Sequence, residues 1–123
     1  MFDLANFDIA RFEASAAEAA KLLRALGNER RLMILCQLTD RERSVSELQP
    51  RVGLSQSALS QHLAVLRDEG VVATRREGQT VWYRISDPAA MRVVATLAEI
   101  FCPPMVEKAD ARNPDAHEAR DRR

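Results

Sequence analysis

Between Ser44 and Arg67 the chain carries two short helix signals separated by two residues, an arrangement that few folds accept. Ser44 is followed three residues on by Glu47, the reciprocal pattern in which a hydroxyl and a carboxylate each satisfy a backbone N–H of the first turn. That helix is expected to run to about Val52 and to end at Gly53, which can take a tight-turn conformation. Pro50 lacks a backbone donor and disfavours a helical Gln49, so the helix is expected to be short, bent or partly 3₁₀. After Leu54, Ser55 caps a second helix reaching about Arg67, with Leu59, Leu63 and Leu66 at i, i+4 and i+7 on one inward stripe. Two helices across so tight a turn pack steeply, which is the geometry of a helix-turn-helix.

The flanking segments complete a larger pattern. Residues 1–14 show no strong period and read as an N-terminal arm or a short extra helix. From Ser15, Ala19, Leu22, Leu23 and Leu26 recur at helical spacing until Gly27. Asn28 caps a helix from Glu29 to Leu38, with Leu32, Leu35 and Cys36 on one stripe and Ile34 and Leu38 beside it. Asp40-Arg41-Glu42-Arg43 reads as a loop. Beyond Gly70, two β-rich runs, 71–76 and 80–85, meet around Glu77-Gly78-Gln79 as a hairpin. Asp87 or Ser86 caps a last helix, with Pro88 in its first turn and Met91, Val94, Leu97, Ala98 and Phe101 as its apolar face. Cys102-Pro103-Pro104 ends it, and residues 103–123, charged and poor in large apolar side chains, are expected to be a disordered tail. The order of four helices, a hairpin and a helix predicts a mainly α fold with a β-hairpin wing, a winged helix-turn-helix. A single domain over residues 15–102 suits a chain of 123 residues.

Such a fold places the candidate DNA-reading residues. The outward face of the Ser55–Arg67 helix carries Gln56, Ser57, Ser60, Gln61 and Ala64, gathered towards the end that meets base edges. Gln can pair with adenine through two hydrogen bonds, and Ser can serve bases or phosphates. Ser55 stands at the helix start, and His62 and Arg67 are candidate phosphate contacts at the flank. Arg75, Arg76 and Gln79 crowd the hairpin tip, where a wing reaches phosphates or the minor groove. A merely solvated helix face could have the same composition; the basic hairpin that follows it favours double-stranded DNA. Overall charge is neutral evidence, since 18 basic residues offset 18 acidic ones. No apolar run approaches the ~18–20 residues of a membrane span. The start Met1-Phe2-Asp3-Leu4-Ala5-Asn6 lacks the features of a secretory signal, so a cytoplasmic, reducing location is expected. No Cys-x-x-Cys, glycine-rich cofactor loop or Cys–His partnership appears, and neither catalysis nor a cofactor is expected.

The stretch from Leu54 to Val72, with Leu26-Gly27-Asn28-Glu29-Arg30-Arg31-Leu32-Met33-Ile34-Leu35 upstream and Tyr83-Arg84-Ile85 downstream, resembles the ArsR family of bacterial repressors. The resemblance covers roughly residues 16 to 101. It implies a homodimer built from the first and last long helices, binding a palindromic operator with recognition helices about one DNA turn, ~34 Å, apart. Many members of that family sense metals. The family's metal motif near Val45–Leu48 needs cysteines, which Ser44-Val45-Ser46-Glu47-Leu48 lacks, and its C-terminal-helix site needs histidines, which 87–101 lacks. No metal site is therefore expected. Cys36 and Cys102 remain, one on each of two helices that should pack together. They resemble the pair of the persulfide-responsive branch, the BigR- and SqrR-like sulfide sensors. That resemblance implies release of operator DNA when reactive sulfur species oxidise both thiols to a di- or polysulfide bridge. The alternatives are that both thiols are small buried hydrophobes in a repressor with another inducer or none, or that the chain is a thiol enzyme. A helix C-terminus disfavours a thiolate at Cys102, and no basic neighbour is evident in sequence.

Overall fold

The computed structural model describes residues 7–102. Five helices and three strands follow one another as α1 (Ile9–Leu26), α2 (Glu29–Cys36), β1 (Arg43–Ser44), α3 (Val45–Val52), α4 (Gln56–Asp68), β2 (Val72–Glu77), β3 (Thr80–Ile85) and α5 (Pro88–Phe101). The expected winged helix-turn-helix order is present, and the expected tail at 103–123 lies outside the described residues.

The caps explain most boundaries. Asn28 Oδ1 accepts from the amides of Arg30 and Arg31, and Ser44 and Glu47 form the reciprocal box at the start of α3. Gly53 ends α3 at φ 65°, a left-handed conformation that a Cβ would disfavour. Ser55 Oγ accepts from Ala58 N at 3.1 Å, Asp87 Oδ1 accepts from Ala89 N, and Pro88 opens α5. In the wing, Gly78 has φ 65° while Gln79 is not positive, the combination that a tight II′ hairpin turn requires at its first position.

Four expectations are corrected. First, α1 begins at Ile9 rather than Ser15, because Asp8 caps it by accepting from Arg11 N at 3.2 Å. Its outer turns are exposed and lack the periodic apolar pattern that marks a buried helix. Second, α2 ends at Cys36, with Gln37 as its cap, and Cys36 is exposed rather than part of the apolar stripe with Leu35. Third, α3 stays α-helical through Pro50. The donor that proline removes would have faced the carbonyl of Ser46, an exposed residue whose carbonyl water can serve. Fourth, Arg43 and Ser44 are a strand, paired antiparallel to Tyr83 and Trp82, so the hairpin is part of a three-stranded sheet ordered β1-β3-β2. Two residues are too few for a period-two pattern to register.

The core joins Leu26, Ile34, Leu35, Leu38, Leu48, Val52, Leu59, Leu63, Leu66, Val71, Val72 and Val94. Each fully buried leucine of the α4 stripe contributes ~1.5–3 kcal/mol of apolar burial, which fixes the rotation of α4 and hence its outward face. Apolar side chains also remain outside the core. On α1, Ile9, Phe12 and Leu23 are exposed, and on α5 Ile100 and Phe101 are 62% and 75% exposed. Phe101, read as part of the apolar face of α5, is exposed in the single chain.

Candidate DNA interface and the cysteine pair

With Leu59, Leu63 and Leu66 buried against the core, α4 turns Gln56, Ser57, Ser60 and Gln61 to solvent along its first two turns. No acidic residue occupies the first turn, so its unpaired amides and the positive end of the helix dipole face outward together. Ser55 uses its oxygen as a cap and keeps its O–H for donation. His62 is half-buried beside the leucine stripe. Arg67 is exposed in the last turn, ~16 Å along the axis from Gln56 at the ordinary helical rise. The structure therefore gathers Ser55, Gln56, Ser57, Ser60 and Gln61 at one end of α4 and leaves Arg67 at the other. α3 packs across α4, the helix-turn-helix pairing read from Gly53-Leu54.

The wing separates the two arginines that the sequence placed together. In the β2–β3 register Arg75 faces Trp82 and Arg76 faces Val81, and alternation sends the two side chains to opposite faces. Arg75 stacks 5.5 Å above the Trp82 ring, donates from Nε to Glu42 at 2.7 Å and lies 3.1 Å from Glu77. Its hydrogen bond, with a smaller contribution from nearby Arg84, holds the Glu42 carboxyl below the usual carboxylate range. Arg75 is thus a brace between the wing and the residue that leads into β1. Arg76 lies on the face of Val72 and Thr74, but beyond the core, where it is exposed with no ion pair among the described residues. Gln79 sits exposed in the turn itself. The sequence reading missed Glu42, assigned to a loop, and Trp82; an acid two residues before Ser44 was the available signal, legible once Arg43–Ser44 is known to be a strand.

Cys36 ends α2 and Cys102 caps α5, and these two helices are in contact. Both thiols are free and exposed, which is unlike a pair of buried hydrophobes. Desolvation pushes the Cys36 thiol above its ordinary range, and the nearby Cys102 pushes it further. Among the described residues no group of His, Cys, Asp and Glu could hold a metal ion, and no helix is long and apolar enough to cross a membrane.

A core to which all five helices contribute, a second helix of a tight helix-turn-helix turned outward and a hairpin beside it define a winged helix-turn-helix regulator. Residues 28–74 match the model of the bacterial regulatory protein, arsR family. The transcriptional activator HlyU of Vibrio cholerae is 49% identical over 98 residues, spanning 80% of this chain and 91% of the relative. The crystal structure of the transcriptional repressor BigR from Xylella fastidiosa superposes with a TM-score of 0.73 at 41% identity, over 78% of this chain and 98% of that one. A homodimeric winged helix-turn-helix DNA-binding domain from Mycobacterium bovis, a possible ArsR-family regulator, gives 0.65 at 31% identity, over 82% and 90%. The chain belongs to the arsR family.

Proposed function

We propose that the protein is a homodimeric repressor that holds operator DNA when reduced and releases it when reactive sulfur species link Cys36 to Cys102. The observation that carries this reading is the placement of two exposed, free thiols at the ends of the touching helices α2 and α5. Gln56, Ser57, Ser60 and Gln61 read bases, Ser55 and the α4 amides meet phosphates, and Arg76 and Gln79 extend the contact from the wing. The exposed apolar residues of α1 and α5 supply a dimer face, as the homodimeric M. bovis relative supports. HlyU is called an activator and BigR a repressor; repression follows where the occupied operator overlaps a promoter.

The chemistry balances with one persulfide, RSSH. One thiolate takes the outer sulfur, giving Cys–S–SH and releasing RSH. The second thiolate then attacks the protein-bound sulfur of that persulfide, closing Cys36–S–S–Cys102 and releasing H₂S. The donor sulfur is reduced and the two cysteines are oxidised. A second RSSH persulfidates the other thiol instead, and condensation of the two persulfides gives a trisulfide and H₂S. Either bridge ties α2 to α5. A coupling of ~1–3 kcal/mol between this bridge and DNA is enough for a switch.

The test is operator affinity by fluorescence anisotropy, reduced and after an organic persulfide, with intact mass on the same samples. Lost affinity with the mass of an intramolecular bridge is expected. Cys36→Ser should bind DNA normally and ignore persulfide; a variant that responds like wild type would sink the proposal.

A further inference from the structure

Arg43 lies almost wholly inside the protein, 6% exposed, although it carries a full charge. Its Nε donates to the backbone carbonyl of Gln37 at 2.7 Å, and its Nη2 lies 3.5 Å from Asp40 Oδ1. Gln37 is the residue directly after Cys36. Its side-chain oxygen accepts in turn from Arg51 Nη1 at 3.4 Å, in the last turn of α3, while Thr39 Oγ1 donates to the Cys36 carbonyl at 3.0 Å. The cap that follows the thiol is thus held from two sides, by β1 through Arg43 and by the first helix of the helix-turn-helix through Arg51. Arg43 is itself in β1, opposite Tyr83, and Ser44 beside it caps α3. No role in reading DNA or in thiol chemistry accounts for this buried guanidinium.

A buried guanidinium that loses its acceptors leaves an uncompensated charge, so it must follow the carbonyl it binds. We propose that Arg43, seconded by Arg51, is the positioning residue that transmits chemistry at Cys36 to the reading head. The inference rests on the proposed sulfur switch. Bridging pulls the end of α2 towards the end of α5 and displaces the Gln37 carbonyl. Arg43 moves with it, β1 moves with Arg43, and α3 is continuous with β1. The recognition helix, packed on α3, then leaves its register with the partner's. The two arginines touch neither sulfur nor DNA in this scheme; they carry displacement.

The experiment compares wild type, Arg43→Lys and Arg51→Ala as full-length dimers, each reduced and each fully bridged by an organic persulfide as judged by intact mass. Lysine keeps the charge but replaces the planar fork with a single ammonium. Wild type is expected to lose ~5–150-fold in operator affinity on bridging, the range of ordinary couplings. Arg43→Lys should bridge fully and bind DNA normally when reduced, yet lose a factor several times smaller, with Arg51→Ala between the two. Hydrogen–deuterium exchange on wild type provides a readout independent of any variant's folding: bridging should change protection across 43–52 as well as at the end of α2. Variants that bridge and release like wild type would overturn the relay while leaving the switch intact, as would release without any exchange change in 43–52. A wild type that bridges and keeps its affinity removes the switch and the relay together, and the wild-type arm alone reveals that case.

Discussion

The wing makes a quantitative claim about two neighbouring arginines. Arg76 is exposed with no ion pair among the described residues, whereas Arg75 is already met by Glu42 at 2.7 Å and Glu77 at 3.1 Å and lies over Trp82. Each phosphate neutralised on B-DNA contributes a slope of about −0.9 to the dependence of log affinity on log salt. In a dimer, Arg76→Ala removes two such contacts and should make the slope shallower by ~1.8. The wild-type advantage over that variant should then shrink ~12-fold between 50 and 200 mM salt, since a fourfold change in salt is raised to that power. Arg75→Ala removes a charge that internal carboxylates already balance, so its slope should change by less than half as much. Glu42→Gln should do the opposite, releasing part of Arg75 towards DNA and steepening the slope. The assay is an anisotropy titration of reduced protein against one operator duplex across this salt range. Equal slope changes for Arg75→Ala and Arg76→Ala would refute the reasoning, because the brace would then have to open whenever DNA binds.

Two further expectations concern the start of α4 and the thiols. Ser55→Ala removes the acceptor for Ala58 N and should cost ~1 kcal/mol in denaturant unfolding. Ser55→Asp keeps the cap and the stability but should weaken operator binding strongly by setting a carboxylate against phosphate; undiminished binding by that variant would move the helix start away from the backbone. Cys36 is an acid whose pKa is raised, so its reactive thiolate appears at higher pH than in an ordinary cysteine. Its alkylation rate should still be climbing as pH passes the usual thiol range. Cys102→Ser removes the smaller of the two causes and should move that rise partway down in pH. A pH–rate profile unmoved by Cys102→Ser would mean that the two thiols do not sense each other.

What the residues announced in advance was what they do locally. Ser44 with Glu47, Gly53, Ser55 and the leucine stripe of α4 act within a few positions of themselves, and the structure places them as read. Gly78 and the Asp87-Pro88 start of α5 were legible for the same reason. The less legible features depend on contacts between distant segments. Arg43–Ser44 is a strand because β3 lies alongside it, and nothing in its own pattern says so. Arg75 and Arg76 look equivalent in sequence, and they differ because Glu42 comes to one of them from 33 positions away. Cys36 falls at helical spacing with Leu32 and Leu35, but α2 ends on it and leaves it exposed. The buried state of Arg43 was hidden by the polar run around it.

Ser44 belongs to two elements at once: it pairs with Trp82 in the sheet and caps α3 by accepting from the Glu47 amide. No spacer separates the strand that carries the wing from the helix that carries the reading head. In the proposed complex, the distance between a groove contact made by α4 and a flanking contact made at Gln79 is therefore set like the marks on a ruler. Operators can vary in the bases opposite Gln56 or Gln61, but the offset from those bases to the wing's footprint should be the same in every half-site. An insertion after Ser44 would break the cap and change the distance between the two marks.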